Sequence, residues 1–190
     1  MKSFKEIVKP ALILFAICLV ATALLALTNK VTAPKIKASD EKAEADSCSE
    51  VLPDAKFFGE AETLKYNGKE YICYEGINDN DEIVGYVFKT SSKGYKGDVT
   101  VMTGIGPDGS VTGVAPLNLN ETPGLGMNAK KDSFRSQFIG KTGVIGVSKA
   151  GHTVENGIDA LTGATITSKA VAESINIAIE LFGVKTGGVN

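Results

Sequence analysis

The sequence predicts an α+β domain carried behind one N-terminal membrane helix. Three features lead there: an uncharged apolar run near the N-terminus, pairs of short β-rich runs separated by turn formers, and an amphipathic segment near the C-terminus. Hairpins kept apart from helices indicate an α+β domain, because alternating βαβ units would interleave the two.

The apolar run PALILFAICLVATALLALTN lies between Lys9 and Lys30. It is about 20 residues long, the length that crosses a bilayer core, and its apolar side chains occupy every face. A cleaved signal peptide is the rival reading, with Ala21-Thr22-Ala23 as a small-residue site. The run continues through Leu24, Leu25 and Leu27, which suits an uncleaved anchor better. The expected layout is a tail at 1–9, a transmembrane helix at 10–29, a juxtamembrane segment at 30–60 and a single domain at 61–190. Lys2, Lys5 and Lys9 precede the span and Lys30, Lys35 and Lys37 follow it, so charge does not choose the side on which the domain lies. The acidic stretch from Lys35 to Glu50 reads as a solvated helix or linker.

Tyr71–Tyr74 and Ile83–Lys89 are rich in aromatic and β-branched residues and flank the turn-forming Asn78-Asp79-Asn80-Asp81. Asp98–Ile105 and Ser110–Ala115 form a second pair around Gly106-Pro107-Asp108-Gly109. Ala129–Phe138 reads as a helix, with Phe134 and Phe138 at i, i+4 spacing, and Val144–Val147 as a buried strand. A final helix of about 15 residues is expected from Thr167, with Val171, Ile175, Ala178, Ile179 and Phe182 on one apolar face.

The charge balance, 20 Lys and Arg against 22 Asp and Glu, contains no basic stripe, so no nucleic-acid partner is expected. The three cysteines, Cys18, Cys48 and Cys73, lack CxxC spacing and suggest neither a zinc site nor a cluster. Cys18 reads as a small hydrophobe of the anchor, since Ile17 precedes it where a lipoprotein site would want a small residue. Cys48 and Cys73 could pair only in an oxidising compartment and only if their Cα atoms lie close.

The chemically informative stretch is Asp159-Ala160-Leu161-Thr162-Gly163-Ala164-Thr165-Ile166-Thr167-Ser168. Hydroxyls and small residues crowd the start of the last helix. A helix N-terminus offers unsatisfied N–H groups and a partial positive charge, which suits a phosphate. Gly163 and Ala164 let the backbone come close, and Thr162, Thr165, Thr167 and Ser168 supply hydroxyls. The same residues also make ordinary helix caps, and spacing alone leaves both readings open.

This run resembles the attachment motif of the FMN-binding domain family, in which a flavin transferase esterifies the FMN phosphate to the last threonine of a Ser/Thr-Gly-Ala-Thr core. Gly85-Tyr86-Val87-Phe88, Lys93-Gly94-Tyr95-Lys96-Gly97 and Val101-Met102-Thr103-Gly104-Ile105 resemble the same domain in order. Glu121-Thr122-Pro123-Gly124-Leu125-Gly126 is similar to a flavin-facing loop of that family. With its anchor and length, the chain resembles the G-subunit family of Rnf electron-transport complexes. The resemblance implies FMN held covalently on Thr165, with Thr162, Thr167 and Ser168 donating to the phosphate and Gly163 and Ala164 beside it. It also implies that Glu121, Thr122, Gly124, Leu125 and Gly126 surround the isoalloxazine, with Lys93 and Tyr95 as weaker candidates.

The resemblance further implies an inner-membrane, single-pass protein with its flavin domain outside the cytoplasm and other Rnf-type membrane subunits as partners. Its role would be electron carriage in a complex coupling ferredoxin–NAD electron flow to Na⁺ or H⁺ transport. Asp159 would repel the phosphate, and is expected to cap the turn or to serve the transferase as a recognition residue or metal ligand. No acid–base constellation is visible, so no catalytic side chain is expected.

Two departures stand out. Thr162 occupies a position where many relatives carry serine, and Val147–Gly157, with the lone His152, matches no familiar pattern. The alternatives are the C subunit of a Na⁺-translocating NADH:quinone reductase, which is typically longer, and a membrane-anchored assembly or binding protein whose threonine cluster only caps a helix.

Overall fold

The computed structural model describes residues 4–148 and 155–187. The chain divides into two compact units, Met1–Lys42 and Ala43–Asn190.

The first unit belongs to one long helix, α1 (Phe4–Val51). Its apolar side chains, Leu12, Phe15, Leu19 and Leu25 among them, are exposed, as a helix meant for lipid requires. Among the described residues it is the one helix long and apolar enough to cross a membrane. The segment expected as juxtamembrane at 30–60, with Lys35–Glu50 as a solvated helix or linker, is helical as far as Val51, and from Ala43 onward it belongs to the second unit. The acidic pattern conceals this, because the four apolar residues that bury this end, Cys48, Val51, Leu52 and Ala55, are scattered among charges.

The second unit is built on a six-stranded antiparallel sheet. Its strands are β1 (Phe57–Phe58), β2 (Glu62–Tyr66), β3 (Lys69–Ile77), β4 (Ile83–Lys93), β5 (Asp98–Ile105) and β6 (Val111–Asn118). The order is β1-β3-β4-β5-β6, with β2 also paired to β3. Both expected hairpins are present, β3–β4 and β5–β6, and β5 has the predicted limits. The short β1 and β2 have no counterpart among the elements expected from the sequence.

Alternation along the strands separates two faces. Val87 and Met102 point one way and pack with Cys48, Val51, Leu52 and Ala115 beneath the end of α1. Phe88, Val101 and Ile105 point the other way, toward α3 (Thr165–Thr186). Val171, Ile175, Ala178 and Leu181 of α3 are fully buried there, so the amphipathic face read from the sequence is the face that packs. The helix begins two residues before its expected start and runs for 22 residues. Cys48 and Cys73 lie on opposite faces and are free thiols, so they do not pair.

The helix expected over Ala129–Phe138 is three short pieces instead: 3₁₀ turns at Gly126–Lys130 and Ser136–Phe138 on either side of α2 (Asp132–Arg135). Phe134 and Phe138 still meet edge to face, 5.4 Å between centroids, and both are buried. The spacing therefore identifies the contact but overstates the length of regular helix. A small parallel pair, β7 (Gly146–Ser148) and β8 (Gly157–Asp159), leads into the segment before α3. His152 falls outside the described residues.

Candidate functional site

Three segments distant in sequence meet at one cavity of about 520 Å³. Tyr95 comes from the turn after β4, Glu121, Thr122, Leu125 and Gly126 from the loop after β6, and Gly163 to Thr167 from the start of α3. The volume lies within the range of roughly 300–1,000 Å³ typical of cofactor pockets.

The floor is the beginning of α3. Its N-cap is Ala164, and no side chain caps the helix. The cap reading of the threonine cluster therefore fails, and the N-terminal N–H groups are left to face the cavity without a side-chain partner. Thr165 is the first helical residue and is half-buried on the cavity wall. Gly163 has φ +75°, the left-handed region that a side chain enters only at a cost, and a Cβ there would also stand 3.1 Å from Leu125 Cδ2. These two features place a bare stretch of backbone directly before Thr165.

The remaining hydroxyls of the motif divide. Thr167 is buried and lines the cavity beside Gly126, where a Cβ would meet the threonine Oγ1 at 2.7 Å. Ser168 is fully buried and turned inward. Its hydroxyl accepts from Leu161 N at 2.9 Å and donates to Ala164 O at 3.0 Å, stitching the loop to the first turn of α3. That internal role differs from the phosphate donation expected of it. Thr162 is exposed and is not among the residues lining the cavity. Asp159, on β8, is exposed and accepts the Ser148 hydroxyl at 3.2 Å, so it braces the approach to the motif.

The upper wall is the 121–126 loop. Thr122 O accepts from Leu125 N at 3.1 Å and Met127 N at 3.2 Å, which folds Leu125 over the cavity with its side chain partly exposed. Gly124 has φ +77°, and its carbonyl accepts from Asn128 Nδ2 at 2.7 Å, so it shapes the loop without lining the cavity. Glu121 is buried, and its Oε1 accepts the backbone N–H of Tyr95 at 2.7 Å and of Lys96 at 3.4 Å. The Tyr95 ring is 66% exposed and forms the outer rim. Lys93 is exposed and does not line the cavity.

These residues fit a flavin mononucleotide on observations of the chain itself. An uncapped helix end suits the phosphate, glycine backbone at 126 and 163 clears room, and Leu125 and Ile166 give the cavity apolar surface. Fold and site together define a membrane-anchored domain of the FMN-binding class, and the FMN-binding domain model matches residues 94–180.

The RnfG N-terminal region model matches residues 1–51. The chain is 39% identical to the G subunit of the Na⁺-translocating ferredoxin:NAD⁺ oxidoreductase complex of Acetobacterium woodii, covering 94% of this chain and 93% of that one. It is 36% identical to the G subunit of the proton-translocating ferredoxin:NAD⁺ oxidoreductase complex of Clostridium ljungdahlii, covering 90% and 89%. The chain belongs to the G-subunit family of these ion-translocating oxidoreductase (Rnf) complexes.

The C subunit of the Na⁺-translocating NADH-quinone reductase of Vibrio vulnificus is more distant, at 28% identity over 85% of this chain and 67% of that one. The crystal structure of the corresponding C subunit from Parabacteroides distasonis shares the fold, with a TM-score of 0.62 at 20% identity over 82% of this chain and 96% of that one.

Proposed function

We propose that this chain is the electron-carrier subunit of a membrane-bound complex that couples ferredoxin–NAD electron flow to ion translocation, and that it carries FMN joined by a phosphodiester to Thr165. The observation that carries this reading is Thr165 itself: a hydroxyl on the first residue of an uncapped helix, on the wall of a cavity of cofactor size. A phosphoryl group on that oxygen is favoured by the helix end, by about 0.3–1 kcal/mol. Thr167 and the N–H groups of the first turn, which no side chain caps, would donate to it, while Ser168 holds the loop rather than the ligand. Leu125 and Tyr95 bound the space for the ring and limit solvent access. Bound flavin supplies the chemistry, taking up and releasing electrons one or two at a time.

The protein is then a carrier rather than a complete enzyme, with the other membrane subunits of an Rnf-type complex as partners and a flavin transferase for maturation. A covalent tether favours a domain on the extracytoplasmic face of the inner membrane, where dissociated flavin would be lost. The test is to co-express the full chain with a flavin transferase, denature it and examine the gel band for flavin fluorescence. Wild type is expected to fluoresce, and Thr165→Val to fold and remain dark. A fluorescent Thr165→Val band refutes Thr165 as the attachment residue, and a dark wild type whose intact mass equals the bare polypeptide refutes covalent attachment and favours a cofactor-free anchored protein.

A further inference from the structure

Glu121 is the one acidic side chain among the described residues lining the cavity, and no Lys, Arg or His is among them. The remaining lining residues are hydroxyl-bearing, apolar or glycine, with the Tyr95 phenol at the rim. A buried carboxylate in such a place needs a reason, because removing a charge from water is costly unless hydrogen bonds or a partner compensate. Here the compensation is backbone. Glu121 Oε1 accepts from Tyr95 N at 2.7 Å and from Lys96 N at 3.4 Å.

The packing around it is close on both sides. A Cβ on Gly94 would stand 2.5 Å from Glu121 Oε1, and a Cβ on Gly126 would stand 2.7 Å from Glu121 Cβ. Gly94 N also donates to Gly97 O at 2.8 Å, closing the turn that presents Tyr95. Glutamate therefore sits between two glycines that leave it space, and it ties the loop after β6 to the turn after β4. Tyr95 is exposed at the cavity rim, and its main chain is held there by that tie.

Resting on the FMN reading above, we propose that Glu121 is a positioning residue with two effects. It clamps the Gly94–Gly97 turn, and so the Tyr95 ring, across the cavity mouth, and it sets a low reduction potential for the flavin held there. The second effect follows from charge. Adding electrons makes the isoalloxazine more negative, and a carboxylate in a site with no cation among its described lining residues opposes that change. A cavity built this way suits a carrier filled by a strong reductant and emptied into an acceptor of higher potential. Lys93 and Lys96 are exposed and outside the lining, where solvent screens them.

The test uses the full-length chain in detergent, with and without flavin, as wild type, Glu121→Gln and Glu121→Ala. Glutamine keeps an acceptor oxygen and removes the charge, whereas alanine removes both. Circular dichroism checks that each folds. Spectroelectrochemical titration of the flavin-loaded chains is expected to show a more positive potential in both variants, by on the order of a tenfold change in the reduction equilibrium, or about 59 mV for one electron. Hydrogen exchange on the flavin-free chains is expected to show the Tyr95 and Lys96 amides protected in wild type and Glu121→Gln but fast in Glu121→Ala.

An unchanged potential in Glu121→Gln overturns the electrostatic effect, and unchanged amide exchange in Glu121→Ala overturns the clamp. Loss of flavin incorporation in Glu121→Gln would mean that the residue serves loading instead, which also overturns the proposal. If wild type never acquires flavin, the FMN reading and the potential effect fall together, while the exchange experiment still decides the clamp on its own.

Discussion

The Thr112 hydroxyl donates to the main-chain carbonyl of Val51 at 2.6 Å and ties the last turn of α1 to β6. The helix end can come this close because Gly104 and Gly113 present no side chain beneath it. A Cβ on Gly113 would stand 2.6 Å from Val51 Cα, and one on Gly104 would strike the Val51 carbonyl. Around this contact, Glu44 pairs with Lys89 and accepts from the Tyr74 hydroxyl, while Arg135 reaches Glu50.

Gly113→Ala should therefore destabilise the domain by roughly 1–3 kcal/mol, the usual penalty for overpacking. The three atoms nearest the new methyl are all backbone of Val51, so none can swing aside. Thermal unfolding followed by circular dichroism should show a lowered midpoint, whereas Gly140→Ala, with open space around it, should suffer only from its positive φ.

The hydroxyls of Thr162, at the start of the motif core, and of Ser168, beyond it, should behave differently. Ser168→Ala leaves Leu161 N without its acceptor in a partly buried setting, at a cost of about 1 kcal/mol, and should reduce flavin incorporation by loosening the loop. Thr162→Ala, at an exposed position, should leave stability within about 0.5 kcal/mol of wild type. Denaturant melts and in-gel fluorescence of the two variants, side by side, check this ordering.

Gly163→Val should lower flavin loading more than it lowers stability. A β-branched residue at φ +75° costs on the order of 1–2 kcal/mol, and its side chain would also press on Leu125 at the cavity wall. The fraction of chains carrying the flavin mass, measured on intact protein, should fall well below that of Gly163→Ala.

Burial pushes the Cys73 thiol up to about 12 from an ordinary value near 9. At pH 8 the native chain should not be alkylated at this residue, but the guanidinium-unfolded chain should be. The sign of the linkage follows. The folded state holds the proton more tightly, so the contribution is complete below pH about 9 and is lost as the pH rises toward 12. Cys73→Ala should flatten that part of the alkaline stability curve. A native chain alkylated at Cys73 as fast as the unfolded one would contradict the burial.

Much of this architecture is legible in the residues because it rests on local chemistry. The turn formers at 78–81 and 106–109 separate the strands of both hairpins, and the period of Val171, Ile175 and Ala178 marks the buried face of α3. The start of α3 is displaced by two residues from its expected place because threonine and serine suggest caps, whereas the helix begins at Thr165 behind Ala164, an N-cap with no side-chain hydrogen bond. The stretch Ala129–Phe138 reads as helical by spacing, but it folds as short turns in which Phe134 and Phe138 pack into the core.

The site divides in the same way. The motif around Thr165 and the 121–126 loop are visible as local signals, and the structure brings both to one cavity. The inward role of Ser168 is not visible, since its partners are main-chain atoms of Leu161 and Ala164. Nor is the tie from Glu121 to the Tyr95 amide, which joins residues 26 apart through a backbone donor. No side-chain pattern in either segment announces it.

The bare start of α3 has a practical consequence for how the protein matures. A helix that ends in Ala164, with no hydroxyl or carboxylate of its own to complete it, is an unfinished piece of structure until an anion arrives. Esterified Thr165 would supply that anion from within the chain. The nucleotide then serves as scaffold as well as electron store, and the matured protein should melt at a higher temperature than its precursor. A simple melting curve would in that case report how much of a preparation has been processed.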